Sequence, residues 1–284
     1  QDRTLYALCR PQRLLELCTG RTGLRPSITG YDYTPMDLDG YLAAVRVLPY
    51  GASRGCYWKK CAFCPENSEN AAYLSDDPQA IGQDLDRSAQ RTSPGLIHFL
   101  DNALAPGLMQ HLIDQPPVAP WYGFARITRQ LCEPDFARGL RASGCVMLKL
   151  GVESGDQQVL DSLCKGIDTA TVSKALHTVH QAGIATYVYL LFGTPAENET
   201  AAHVTLDFTR RHAGAIDFLN LAIFNLPAYS REAGDLETVD FYDGDLSLYR
   251  EFIHPAGWQR DRVRRFVSKT VKKSAPIRTI LNHD

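Results

Sequence analysis

The stretch SRGCYWKKCAFCPEN, residues 53–67, sets Cys56, Cys61 and Cys64 in the pattern C-x4-C-x2-C. Three soft thiol ligands within nine residues point to a metal or cluster rather than to a disulfide framework. A structural zinc site wants four ligands, and no other Cys or His lies within thirty residues on either side, so zinc would need a distant partner such as His98 or Cys132. A four-iron four-sulfur cluster on three thiolates leaves one iron open to an outside ligand, which electron transfer alone does not require. That vacancy implies chemistry at the metal.

Outward from the triplet, β-rich runs recur at Val45–Pro49, Leu96–Asp101, Trp121–Arg126, Val146–Gly151, Ile184–Phe192 and Ile216–Phe224. Helical patterns separate them at Pro78–Ala89, Glu133–Ala142, Thr171–Ala182 and Glu199–His212, with Gly144, Gly183 and Gly214 placed as left-handed C-caps. This alternation predicts a parallel sheet with right-handed crossovers. Periodicity alone leaves open whether the sheet is doubly wound or an incomplete barrel. The cysteine triplet follows the first strand, and Asp101, Arg126, Glu153 and Gly193 stand at the ends of the next four, so polar groups gather at the rim where α/β proteins place their sites.

Outside the strands, a short helix at Pro11–Cys18 and a turn-rich stretch at 21–37 make residues 1–44 a connector. Beyond Leu226 the strand pattern ends. Helices at Leu246–Phe252 and Asp261–Lys273 then make residues 227–284 a helical cap too small for its own core. Between Gln259 and Lys273 seven Lys or Arg accompany one Asp, while Val263, Phe266, Val267, Thr270 and Val271 recur at helical spacing, an amphipathic basic helix.

The 284 residues are 44% apolar and 22% charged, an ordinary globular composition that excludes a disordered or fibrous chain. A net charge of -2 provides no overall field for nucleic acid or anionic lipid. The longest strongly apolar run, Tyr187–Phe192, is far short of the roughly 20 residues of a membrane span. Neither a solenoid repeat nor a low-complexity tract is present. Of eight cysteines, Cys9, Cys18, Cys132, Cys145 and Cys164 are scattered, which favours a reducing, cytoplasmic location. The opening QDRTLYALCR has neither an initiator Met nor a signal pattern, so the chain is expected to be processed or cut from a longer one.

The triplet resembles the signature of the radical S-adenosylmethionine (radical SAM) superfamily, C-x3-C-x-aromatic-C, with Phe63 in the aromatic slot and Arg54-Gly55 before the first Cys. One extra residue between Cys56 and Cys61 departs from it; the CYWKKC form is similar to a variant in a subgroup often fused to cobalamin-binding domains. LIHFLDNAL (96–104) resembles the family's second strand, KLGVESGDQQVLDSLCKGI (149–167) its fourth strand and following helix, and YLLFGTPAENET (189–200) its fifth strand and turn. The likeness covers about residues 45–226. It implies a partial (β/α)6 barrel, open at one side, with cluster and cofactor at the C-terminal ends of the strands.

The resemblance also implies roles. Cys56, Cys61 and Cys64 would hold the 4Fe-4S cluster, and S-adenosylmethionine would be reductively cleaved there to a 5′-deoxyadenosyl radical that removes hydrogen from a small-molecule or peptide substrate. An electron donor such as flavodoxin or ferredoxin is implied. Asp101 would accept from the ammonium of S-adenosylmethionine, or else cap a turn. Arg126 would pair its carboxylate, or form a surface ion pair. Glu153 would accept the ribose hydroxyls between flanking Gly151 and Gly155. Phe63, the backbone from Leu191 to Gly193, and Asn225 would flank adenine, with core packing the plainer role for Phe63. Lys149 either pairs Glu153 or contacts substrate. Cobalamin is expected only through an upstream domain, because the six βα units are all needed for the barrel. The rival functions are a non-catalytic iron-sulfur or zinc protein and an RNA-modifying radical SAM enzyme.

Overall fold

The computed structural model describes residues 29–68, 72–228, 230–240 and 248–282, with isolated positions 16, 18 and 20. The helix expected at Pro11–Cys18 and the first part of the 21–37 connector lie outside the described residues. Six strands, β1 (Val47–Tyr50), β2 (Leu96–Phe99), β3 (Trp121–Ala125), β4 (Cys145–Glu153), β5 (Ala185–Phe192) and β6 (Phe218–Ile223), form one sheet in sequential order. Every neighbouring pair is parallel. Among the described residues the sheet ends at β1 and β6 without closing, an open α/β sheet.

Helices α1 (Pro78–Thr92), α2 (Pro106–Asp114), α3 (Pro134–Ala142), α4 (Gln157–Ser162), α5 (Thr169–Gln181) and α6 (Glu199–His212) fill the crossovers. Their starts are written locally: proline at the first turn of α1, α2 and α3 lacks only an N–H that has no helical acceptor there. Asp77, Asp156, Asp168 and Asn198 cap α1, α4, α5 and α6 by accepting a backbone N–H. Gly144 and Gly183 have the expected positive φ. Gly214 does not, because it lies in a 3-10 turn at Ala213–Ala215. The sequence patterns gave no strong signal for α2.

Strand side chains alternate. Leu48, Tyr50, Ile97, Phe99, Trp121, Leu148, Leu150, Val188, Leu190 and Phe192 are buried in one core cluster with Ile81, Met109, Leu140, Leu176 and Leu206 of the helices. The intervening positions form the concave face, half-buried and lined with aromatic rings.

The C-terminal segment departs from expectation. Leu226–Pro227, Thr238–Asp240 and Tyr249–Phe252 form a three-stranded sheet, so strands continue beyond Leu226, and the expected helix at Leu246–Phe252 is a strand over its described residues 249–252. The cause is cross-strand pairing. Arg250 stands opposite Asp240 with their charged groups 3.9 Å apart, and Phe252 meets the Phe224 ring edge-on at 5.9 Å. The basic helix forms as α7 (Arg260–Phe266), continues as a π-turn through Val271, and is followed by α8 (Ala275–Leu281). Val263, Phe266, Val267 and Val271 join the barrel's core, while Arg262 pairs Glu199 at 2.7 Å.

The joint between barrel and tail is polar and buried. Glu197 accepts from the Gly193 N–H and, at 3.0 Å, from the Trp258 indole, while its other oxygen finds no partner among the described residues. His254 donates to the Thr194 carbonyl beside it. Burial pushes the Glu197 carboxyl up to about 7. Its folded pKa thus lies above its unfolded one, so its contribution is full below the ordinary glutamate value and is lost as pH rises toward 7. His254, held neutral by burial, runs the other way. The stability of the native chain relative to Glu197→Gln should therefore fall by about 3 kcal/mol between pH 4.5 and pH 8. Parallel melting curves for the two proteins across that range would contradict this.

Candidate functional site

The loop after β1 carries the three thiols to the C-terminal rim of the sheet, where three anchors hold it. Asp101, at the end of β2 and 2% exposed, accepts the Ala52 N–H at 2.9 Å and the Ser53 hydroxyl, fixing the root of the loop. Burial raises its carboxyl, and those same bonds oppose the rise. At the middle of the loop, the Trp58 ring lies 3.7 Å from the Arg126 guanidinium and its indole donates to the Cys164 carbonyl at 3.3 Å. Near the end, the Ala62 N–H donates to Leu163 O, and Phe63 packs on Val159, Leu163 and Ala201. Phe63 thus has the packing role, with Lys165 Nζ 5.5 Å from its ring.

The sulfurs sit half-buried and free of disulfides. Cys64 precedes a helical turn at Pro65–Ser68, whose Asn67 and Ser68 N–H groups donate to the Cys64 carbonyl at 3.0 and 3.3 Å. The Arg126 guanidinium, which donates to the Lys165 carbonyl, and the Lys165 ammonium set two positive charges near Cys61. Burial pushes both thiols up, opposed at Cys61 by the charges of Lys165 and Arg126 and at Cys64 by the nearby backbone N–H groups of Glu66 and Asn67. N–H donors and cations around sulfur suit thiolate ligands of an anionic cluster. Among the described residues no group of three His, Cys, Asp or Glu side chains is placed to hold a metal ion. Thiolates that each bind a different iron need not converge on one point.

Glu153 closes the set. It is 9% exposed, and its Oε1 meets Lys165 Nζ at 2.7 Å. A bulge between Gly151 and Glu153 breaks the strand's period, and Glu153 takes φ 68°, which a non-glycine residue rarely adopts. The carboxylate folds back over Gly151, where a Cβ would come within 2.5 Å of Oε1. The Lys149–Glu153 pair considered from the sequence is therefore replaced: two-residue periodicity puts them on one face, but the bulge turns Glu153 toward Lys165. Gly166, next in the chain and at φ 65°, allows Trp58 to approach within 2.3 Å of where its Cβ would be.

Phe63, Arg126 and Glu153 thus meet around Lys165 and the Cys61 loop, with Asp101 at the loop's root. Leu191 and Gly193 end β5, where Gly193 meets Val263 and Glu197, and Asn225 is exposed beyond β6. Sequence reasoning missed Lys165 and Trp58. Trp58 sits inside the quoted stretch, and the Lys165-Gly166 pair inside the 149–167 block, so both were within the motifs that carried the resemblance.

The open parallel sheet with its helices in the crossovers is a fold shared with solved radical SAM enzymes. The structure superposes on the radical S-adenosylmethionine methyltransferase TsrM from Kitasatospora setae, with tryptophan substrate and a SAM analogue bound, at a TM-score of 0.57 and 16% identity, covering 70% of this chain and 42% of that one. It matches the cobalamin-dependent S-adenosylmethionine radical enzyme OxsB, with aqua-cobalamin and S-adenosylmethionine bound, at a TM-score of 0.50 and 19% identity, covering 61% of this chain and 27% of that one. The match therefore spans well under half the length of either enzyme. No protein-family model and no curated protein matches the sequence. Among the described residues no helix is long and apolar enough to cross a membrane.

Proposed function

We propose that the chain is the catalytic core of a radical SAM enzyme, with residues 45–226 as that core. The observation that carries this reading is the cysteine loop, seated at the rim of a sheet of this fold against buried Arg126, Glu153 and Lys165. Cys56, Cys61 and Cys64 would hold a 4Fe-4S cluster, which when bound supplies the electron that splits the sulfonium bond of S-adenosylmethionine. Arg126 and Lys165 offset negative charge beside Cys61. Lys165 holds one oxygen of Glu153 and orients the carboxylate for the ribose hydroxyls, while Arg126 and Asp101 flank the amino-acid end of the cofactor. The Phe63 side and the backbone of Leu191–Gly193 and Asn225 bound the space for adenine. A flavodoxin or ferredoxin would deliver the electron.

The finer reading is a cobalamin-dependent methyltransferase core. The extra residue between Cys56 and Cys61 supports it, as does the likeness to TsrM and OxsB, with the corrinoid held outside residues 45–226. The test is anaerobic reconstitution: iron and sulfide near four per chain, a change in the cluster's electron paramagnetic resonance spectrum on adding S-adenosylmethionine, and 5′-deoxyadenosine after reduction. A colourless protein, or a cluster indifferent to the ligand, would overturn the reading in favour of a structural metal site.

A further inference from the structure

We infer that the concave face of the sheet selects a flat, apolar substrate bearing one carboxylate, and that Lys149 binds that carboxylate. The inference rests on the proposed function, because it takes this face as the substrate chamber beneath the cysteine loop. Five strands contribute to the face. His98 and Tyr122 stack with centroids 4.3 Å apart and planes 6° from parallel. Phe124 meets Tyr189 at 5.0 Å, Tyr189 meets Tyr187 at 4.8 Å, and Tyr187 meets Phe218 at 5.7 Å. These rings form a wall suited to a planar apolar body.

Lys149 stands in the middle of the wall, in register with Phe124 and Tyr187 and one inward position before Gly151, where the bulge begins. Its ammonium lies 3.1 Å from His98 Nε2 and 5.1 Å from the rings of both Tyr122 and Phe124. Glu153 is the only carboxylate in the six strands, and it is engaged by Lys165. A half-buried ammonium without a counter-ion is costly, and aromatic faces offset only part of that cost. An anion supplied by a ligand would complete the balance.

The charge count sets the class. Lys149 is the only Lys or Arg in the six strands, and burial together with Lys149 holds His98 toward its neutral form. One positive charge matches a monoanion; a phosphate, with nearly two negative charges and three acceptor oxygens, would call for a second cation. Beside a carboxylate, the His98 imidazole accepts one ammonium proton and leaves the other two for the ligand.

The test uses 2-naphthoate and its neutral counterpart 2-naphthamide, titrated by fluorescence into the reconstituted full chain. The acid should bind about tenfold or more tighter than the amide, the effect of one charged hydrogen bond. Lys149→Met keeps the stem and removes the charge, so it should bring acid and amide to equal affinity while leaving the amide within about twofold of its native value, which also verifies the fold. No preference for the acid in the native chain, or a preference that survives in Lys149→Met, would overturn the inference. Iron content and 5′-deoxyadenosine are read on the same samples. A Lys149-dependent preference in a chain that takes up no cluster would sink the enzyme reading and leave the binding site standing; an active enzyme without the preference would do the reverse.

Discussion

Replacing Cys56, Cys61 or Cys64 by Ala, one at a time, is expected to abolish stable cluster assembly and with it all formation of 5′-deoxyadenosine. Each thiolate on the proposed cluster holds its own iron, and a three-thiolate cluster already lacks a protein ligand on the fourth, so two thiolates leave half the cluster unprotected. Cys64→Ala keeps the helical turn, because the Asn67 and Ser68 N–H groups donate to the residue 64 carbonyl and not to the sulfur, so iron lost in that variant reports the missing thiolate. The other described cysteines should be dispensable for iron. Cys18 and Cys164 are exposed and should tolerate Ser. Cys132 and Cys145 are buried, and Ala there should cost only stability. Iron, sulfide and visible absorption per chain decide the matter; a single Ala variant of the triplet with full iron content would remove that cysteine from the ligand set.

The sheet was legible because each strand is short, apolar and bounded, and because the cysteine motif fixed which strand came first. The tail was not. Tyr249–Phe252, the described end of the expected Leu246–Phe252 helix, becomes a strand through Asp240 and Leu226, partners that lie elsewhere in the chain and leave no trace in its own periodicity. The cysteine ligands and Glu153 could be read from motifs, but the partner of Glu153 could not. Strand alternation points to Lys149, and only the bulge at Gly151 to Glu153, a backbone event, hands the carboxylate to Lys165 and leaves Lys149 to the concave face. In the same way, the adjacency of Arg126 and Cys61 depends on the stacking of Trp58, a contact between residues 68 positions apart in sequence.

Lys165→Met is expected to destabilise the fold more than any other single change at the rim, by about 3–5 kcal/mol, the range for breaking a buried pair from one side. The reason lies with the partner left behind. Glu153 is 9% exposed, in a left-handed backbone conformation, and packed over Gly151, so it has little freedom to turn toward water when its cation is removed. The double variant Lys165→Met with Glu153→Gln removes both charges and should recover much of the loss, because the charge left unpaired, rather than the missing attraction, sets the cost. Glu153→Gln alone should be milder in stability, yet on the proposed reading it weakens S-adenosylmethionine binding by about 1.5–3 kcal/mol, since an amide accepts through one oxygen where the carboxylate offers two. Denaturant unfolding of the three variants measures the first effect, and titration with S-adenosylmethionine, followed by electron paramagnetic resonance, measures the second. If Lys165→Met unfolds at the native midpoint, the pair is solvated and Glu153 stays charged without it. If Glu153→Gln binds S-adenosylmethionine as tightly as the native chain, the carboxylate serves the cysteine loop through Lys165 and not the ribose.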